Sequence, residues 1–132
     1  MQMSKELLFS IYEKVLNKGK LDNEFIEYLE EIFPNKSDKI LEVVNRGIIK
    51  NIYKPSNRIV WTVMGRDQEH IILPKLFCSC KSFYKEVIIN RTKKSCKHII
   101  AQIISEALNN FEELELEDSE FKNRIKDLTS KL

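Results

Sequence analysis

The chain gathers all three of its cysteines within nineteen residues, and one of its two histidines joins them. The pattern is Cys78-x-Cys80, fifteen residues, then Cys96-x-His98. Any fold must bring these two short pairs together or leave four metal-seeking side chains unexplained. Three thiolates and one imidazole make a closed tetrahedral zinc set. On a strand, positions i and i+2 point to the same side, so Cys78 and Cys80 can reach one ion while Ser79 points away. Cys96 stands at the start of a predicted helix, with His98 in its first turn, where a thiolate gains from the positive end of the helix dipole. An odd cysteine count argues against a disulfide framework. The bland alternative, three apolar core cysteines and a surface histidine, does not explain the clustering. His70, the remaining histidine, lies at the edge of a predicted strand and reads as a surface or structural residue rather than a ligand.

Around this cluster the hydrophobic pattern changes period. Leu7, Leu8, Ile11, Tyr12, Val15 and Leu16 recur at helical spacing after Ser4, and Gly19 ends that element. Asp22 can cap a second helix carrying Phe25, Ile26, Leu29, Ile32 and Phe33, which stops at Pro34. Ser37 or Asp38 opens a third with Ile40, Leu41, Val43 and Val44, closed by Gly47. Next come Ile48 to Tyr53, the turn Lys54-Pro55-Ser56-Asn57, the β-branched run Arg58 to Met64, a second turn at Gly65-Arg66-Asp67, and Ile71 to Leu73. This reads as a three-stranded antiparallel meander leading into the cysteines. Ser82 to Asn90 reads as a short helix and Cys96 to Asn109 as a longer one. Glu112 to Glu120 reads as an acidic tail, followed by a last apolar stripe of Phe121, Ile125, Leu128 and Leu132. The expected fold class is α+β: N-terminal helices over 1–46, the meander with its zinc motif over 47–110, and the acidic and amphipathic tail over 111–132. Together they form one compact domain.

At 132 residues the chain has the size of a single domain, and 42% apolar content places it among globular proteins. A net charge of +2 gives no global field, so electrostatic recognition must be local. No run of about 18 apolar residues offers a membrane span, and the first eight residues lack the apolar stretch of a secretion signal. The expectation is an intracellular protein without a membrane partner, cytoplasmic in a prokaryote and nuclear in a eukaryote. Three glycines, at 19, 47 and 65, cannot build a phosphate-binding P-loop, so any ATPase must be a partner. Neither His-Glu-x-x-His nor a deaminase-type His-x-Glu is present, and four candidate ligands fill the zinc shell. The chain is therefore expected not to be an enzyme.

Cys-x-Cys, a variable gap and Cys-x-His resembles the SWIM zinc-binding motif. His98-Ile99-Ile100-Ala101 is similar to the extended His-x-x-Ala ending of the small SWIM subunit of Shu-type recombination complexes. The order of helices, meander, motif and helical tail, and Leu41-Glu42-Val43-Val44-Asn45-Arg46 before the first strand, are also similar. The resemblance covers residues 25 to 125 or thereabouts. It implies a non-catalytic subunit of a homologous-recombination complex. Such a subunit partners a RecA-like ATPase paralogue and assists recombinase filament assembly on single-stranded DNA. On its own reading, Ala101 lies one turn after His98, where a small side chain lets the helix pack closely. An ordinary helix-favouring alanine fits as well.

Between Lys75 and His98 the basic residues Lys75, Lys81, Lys85, Arg91, Lys93, Lys94 and Lys97 face a single acid, Glu86, for a local charge of +6. Lys81, Arg91, Lys93, Lys94 and Lys97 are candidate nucleic-acid contacts, with Phe77, Phe83 and Tyr84 as candidate stacking surfaces. The same lysines could instead offset the negative Cys₃His zinc site. The alternative function is a stand-alone zinc module that binds single-stranded nucleic acid. Phe121, Ile125 and Leu128 form a candidate partner surface, or else pack on the chain's own core.

Overall fold

The computed structural model describes residues 5–65, 69–74, 77–80 and 96–129, without the side chains of residues 5, 77 and 125–129. Apolar residues spaced three and four apart line one stripe of a helix. Accordingly α1 (Lys5–Lys18) buries Leu8, Ile11 and Val15. α2 (Asn23–Ile32) starts where Asp22 accepts the Phe25 N–H at 2.8 Å, the expected cap, and turns Phe25 and Leu29 inward. α3 (Ser37–Arg46) buries Ile40, Val43 and Val44. Gly47, at φ 107°, turns the chain from helix to sheet in a conformation that side chains resist.

Four strands follow in antiparallel order: β1 (Ile48–Lys54), β2 (Arg58–Met64), β3 (Glu69–Leu73) and β4 (Phe77–Cys78). Ile48 lies opposite Val63, Trp61 opposite Ile72, and Ile72 opposite Cys78. Strand alternation therefore puts Ile48, Trp61, Val63, Ile72 and Cys78 on one face. Helix α4 (Lys97–Leu108) packs on that face, with α1 and α3 against its other sides. It is buried from His98 through Ser105 and again at Ala107, which makes it the central helix of the fold.

The α+β class expected from the sequence holds, but its sheet is larger than a three-stranded meander. The acidic run expected as a tail is a strand, β5 (Glu112–Glu117), parallel to β1 with Ile49 opposite Glu112 and Lys54 opposite Glu117. The sheet has five strands in the order β4-β3-β2-β1-β5. The physical reason is the alternation Glu113-Leu114-Glu115-Leu116, a strand period masked by its charge. Phe111 delivers the chain there by packing edge-on against Trp61, ring centroids 5.0 Å apart.

α5 (Asp118–Thr129) then crosses the opposite sheet face. Phe121 meets Tyr53 edge-on at 5.1 Å, and with Val60, Ile71 and Leu116 the pair forms a second, smaller core. The Asp118 carboxylate accepts the Ser56 N–H and hydroxyl at 3.0 and 2.6 Å, tying the β1–β2 turn to the start of α5. Arg124 meets Glu69 at 3.3 Å. The helix predicted over 82–90 lies outside the described residues.

Candidate metal centre

The first ligand pair is set by the edge of the sheet. Ser79, between the two cysteines, donates its N–H to the Ile71 carbonyl at 3.0 Å, and its hydroxyl accepts the Ile71 N–H at 2.9 Å. That pairing turns Ser79 away, as strand alternation requires, and leaves Cys78 and Cys80 on the side of α4. The second pair is set by the helix start. Cys96 is the N-cap of α4, with extended backbone angles of φ −103° and ψ 159°, and His98 follows within the first turn.

The ligand atoms of Cys78, Cys80, Cys96 and His98 all lie within 4.8 Å of one another, and all four residues are buried. Cys78 Sγ stands 3.6 Å from His98 Nδ1. A zinc ion with ordinary Zn–S and Zn–N bond lengths has a sulfur-to-nitrogen tetrahedral edge of about 3.6 Å, so the spacing suits that ion with Nδ1 as the imidazole donor. The chemistry of the donor set agrees. Cys78 is held well above the usual thiol range by hydrogen bonding with the Cys80 and Cys96 thiols and then by burial. Burial, opposed first by hydrogen bonding with Cys78 and last by the Ile99 backbone N–H, pushes the Cys96 thiol up to about 12. Three thiols crowded in a dry site resist ionisation unless a cation joins them. A divalent ion reverses that preference and deprotonates its ligands. Zinc bound here would connect the sheet edge to the central helix, with all four tetrahedral positions filled by protein.

Lys97, half-buried, is the first residue of α4. A cation at a helix N-terminus opposes the dipole. Beside three thiolates and a zinc ion, whose formal sum is negative, the same cation is favourable. Lys81, Arg91, Lys93 and Lys94 lie outside the described residues. Ala101 is completely buried in the main core on the helix that carries His98, which suits a position limited to a small side chain. Phe121 faces this chain's own sheet, and the side chains of Ile125 and Leu128 lie outside the described residues.

His70 has a closer relation to the centre than its sequence position suggests. Its ring lies against that of His98, centroids 4.8 Å apart and planes at 47°. Its buried Nδ1 has no hydrogen-bond partner among the described residues. Burial and the neighbouring His98 hold its pKa below the usual imidazole value. Period-two counting was the available signal, because His70 and Ile72 share a face and Ile72 opposes Cys78.

A zinc finger SWIM domain-containing protein 7 homolog of Dictyostelium discoideum is 30% identical over 129 residues, 95% of this chain and 81% of that protein. The chain belongs to the zinc finger SWIM domain-containing protein 7 family. The Mus musculus member is 26% identical over 133 residues, 99% of this chain and 88% of its own length. The Homo sapiens member is 26% identical over 117 residues, 87% and 84% respectively. No family model matches the chain, and no solved structure does. As in other SWIM zinc fingers, the cofactor is zinc, and the Cys₃His cluster fits one such ion. No helix among the described residues is long and apolar enough to cross a membrane.

Proposed function

We propose that this SWIM protein is a non-catalytic subunit of a homologous-recombination and DNA-repair complex. In this reading it partners a RecA-like ATPase paralogue and assists recombinase filament assembly on single-stranded DNA. The observation that carries the reading is the closed centre itself: four buried protein ligands continue through His98-x-x-Ala101 into the central helix. A catalytic zinc keeps a position open for water or substrate. This set fills all four, which supports a scaffold. The glycine-poor sequence has no phosphate loop, so ATP hydrolysis belongs to the partner. The compartment that suits this role is the nucleus of a eukaryote or the cytoplasm of a prokaryote.

The test is affinity capture of the zinc-loaded protein from its native host, followed by binding of the isolated chain to single-stranded DNA. Stable co-purification of a RecA-like ATPase, with DNA binding that needs the pair, supports the reading. Tight DNA binding by the isolated chain, steeply weakened by salt and lost on changing Lys93 and Lys94, would replace it with the stand-alone nucleic-acid module. Lys97, half-buried between the ligands Cys96 and His98 in sequence, favours that second reading. Cobalt substitution reporting fewer than four protein ligands would reopen a hydrolytic role.

A further inference from the structure

Strand β5 ends the sheet, with β1 on one side and no strand beyond it among the described residues. A terminal strand presents a row of N–H and C=O groups with no strand beyond it, which is a template for a further strand; on β5 the last of these N–H groups, that of Glu117, is already taken by the Glu120 carboxylate at 3.1 Å. Its two faces are unlike. Register with β1 puts Glu113, Glu115 and Glu117 on the side of Lys50, Ile52 and Lys54, and Leu114 and Leu116, preceded by the exposed Glu112 at the strand's start, on the side of Ile49, Asn51 and Tyr53. All three carboxylates are exposed, and Leu114 is 41% exposed. Lys50 Nζ approaches Glu113 only to 4.0 Å, and Lys54 Nζ is engaged by Asn57.

Acidic side chains alone would be a solvated surface. Set on an open edge and alternating with leucine, they select among occupants. A second copy of β5 would set carboxylate against carboxylate across the pair, which is destabilising. Nucleic acid is repelled by the same charge. A strand with Lys or Arg on one face and apolar residues on the other matches both sides and completes the backbone ladder.

We propose that the outer edge of β5 receives an added strand from a partner protein whose sequence alternates basic and apolar residues. This surface lies at the opposite end of the sheet from β4 and the metal centre, and its test uses neither DNA nor an ATPase. Its failure therefore leaves the proposed function untouched.

The probe is a seven-residue synthetic peptide of alternating lysine and valine, added to the zinc-loaded full chain. The expected result is slowed amide hydrogen exchange at residues 112–117, with binding at least tenfold tighter than for a peptide of the same composition arranged in blocks. The triple variant Glu113→Gln, Glu115→Gln, Glu117→Gln should bind at least tenfold more weakly, and Glu115→Gln alone should give a smaller loss if the triple variant fails to fold. Equal binding of the block peptide, protection elsewhere in the chain, no binding at all, or self-association through residues 112–117 would each overturn the proposal.

Discussion

Cys78 Sγ lies 3.6 Å from His98 Nδ1, although twenty residues of chain separate them. One atom belongs to the edge strand and the other to the central helix. Each ligand pair is positioned by its own secondary structure, and the ion joins the two.

Zinc in such sites contributes on the order of 10 kcal/mol, comparable to the whole stability of a small domain. Cys96→Ser is expected to lose bound zinc and to unfold the part of the chain built on α4. Metal analysis together with a thermal melt checks this. A variant that melts with the zinc-loaded wild type refutes the structural role.

Ala101 is fully enclosed. Ala101→Leu should therefore overpack the core and cost about 1–3 kcal/mol while leaving zinc stoichiometry intact. Chemical denaturation with parallel zinc determination separates packing from metal loss. Unchanged stability would mean that the helix has room to spare.

Phe121 packs on Tyr53. Phe121→Ala is expected to destabilise the isolated chain by about 2 kcal/mol, from lost burial and the aromatic pair. A residue reserved for a partner would leave the isolated protein's unfolding midpoint unmoved.

Glu30 accepts the Ser37 hydroxyl at 2.7 Å and the Asn35 N–H, joining the end of α2 to the start of α3. The Asn35 N–H and then the Ser37 hydroxyl hold its carboxyl below the usual value near 4.5. A carboxylate depressed on folding stabilises the protein above its unfolded pKa and loses that contribution as pH falls through the folded value. The stability gap between wild type and Glu30→Gln should therefore be present at neutral pH and close below pH 4.5. Urea midpoints across that range measure it, and a gap that stays constant in acid would refute the assignment.

The centre was legible in sequence because ligand type and local spacing are local properties. Cys78 and Cys80 follow from strand alternation, and Cys96 and His98 from a helix start. For His70 period two gives only the face it shares with Ile72, and its place beside His98 depends on the register of β3 beneath α4. The three N-terminal helices and the β1–β2 hairpin were legible from caps, turns and periodicity. β5 was not, because its partner β1 lies about sixty residues earlier and its glutamates conceal a period of two. The stripe beginning at Phe121 left two readings open from sequence, since periodicity marks an apolar face without saying what covers it.

Because β5 pairs with β1 and not with its neighbours in sequence, the sheet is finished out of order during synthesis. The hairpin of β1 and β2 leaves the ribosome with β1 as a bare flank, and about sixty more residues must emerge before it is covered. A message cut short after α4 would yield a protein with its zinc ligands present but one side of its sheet permanently unsealed. Such a product is a natural client for chaperones.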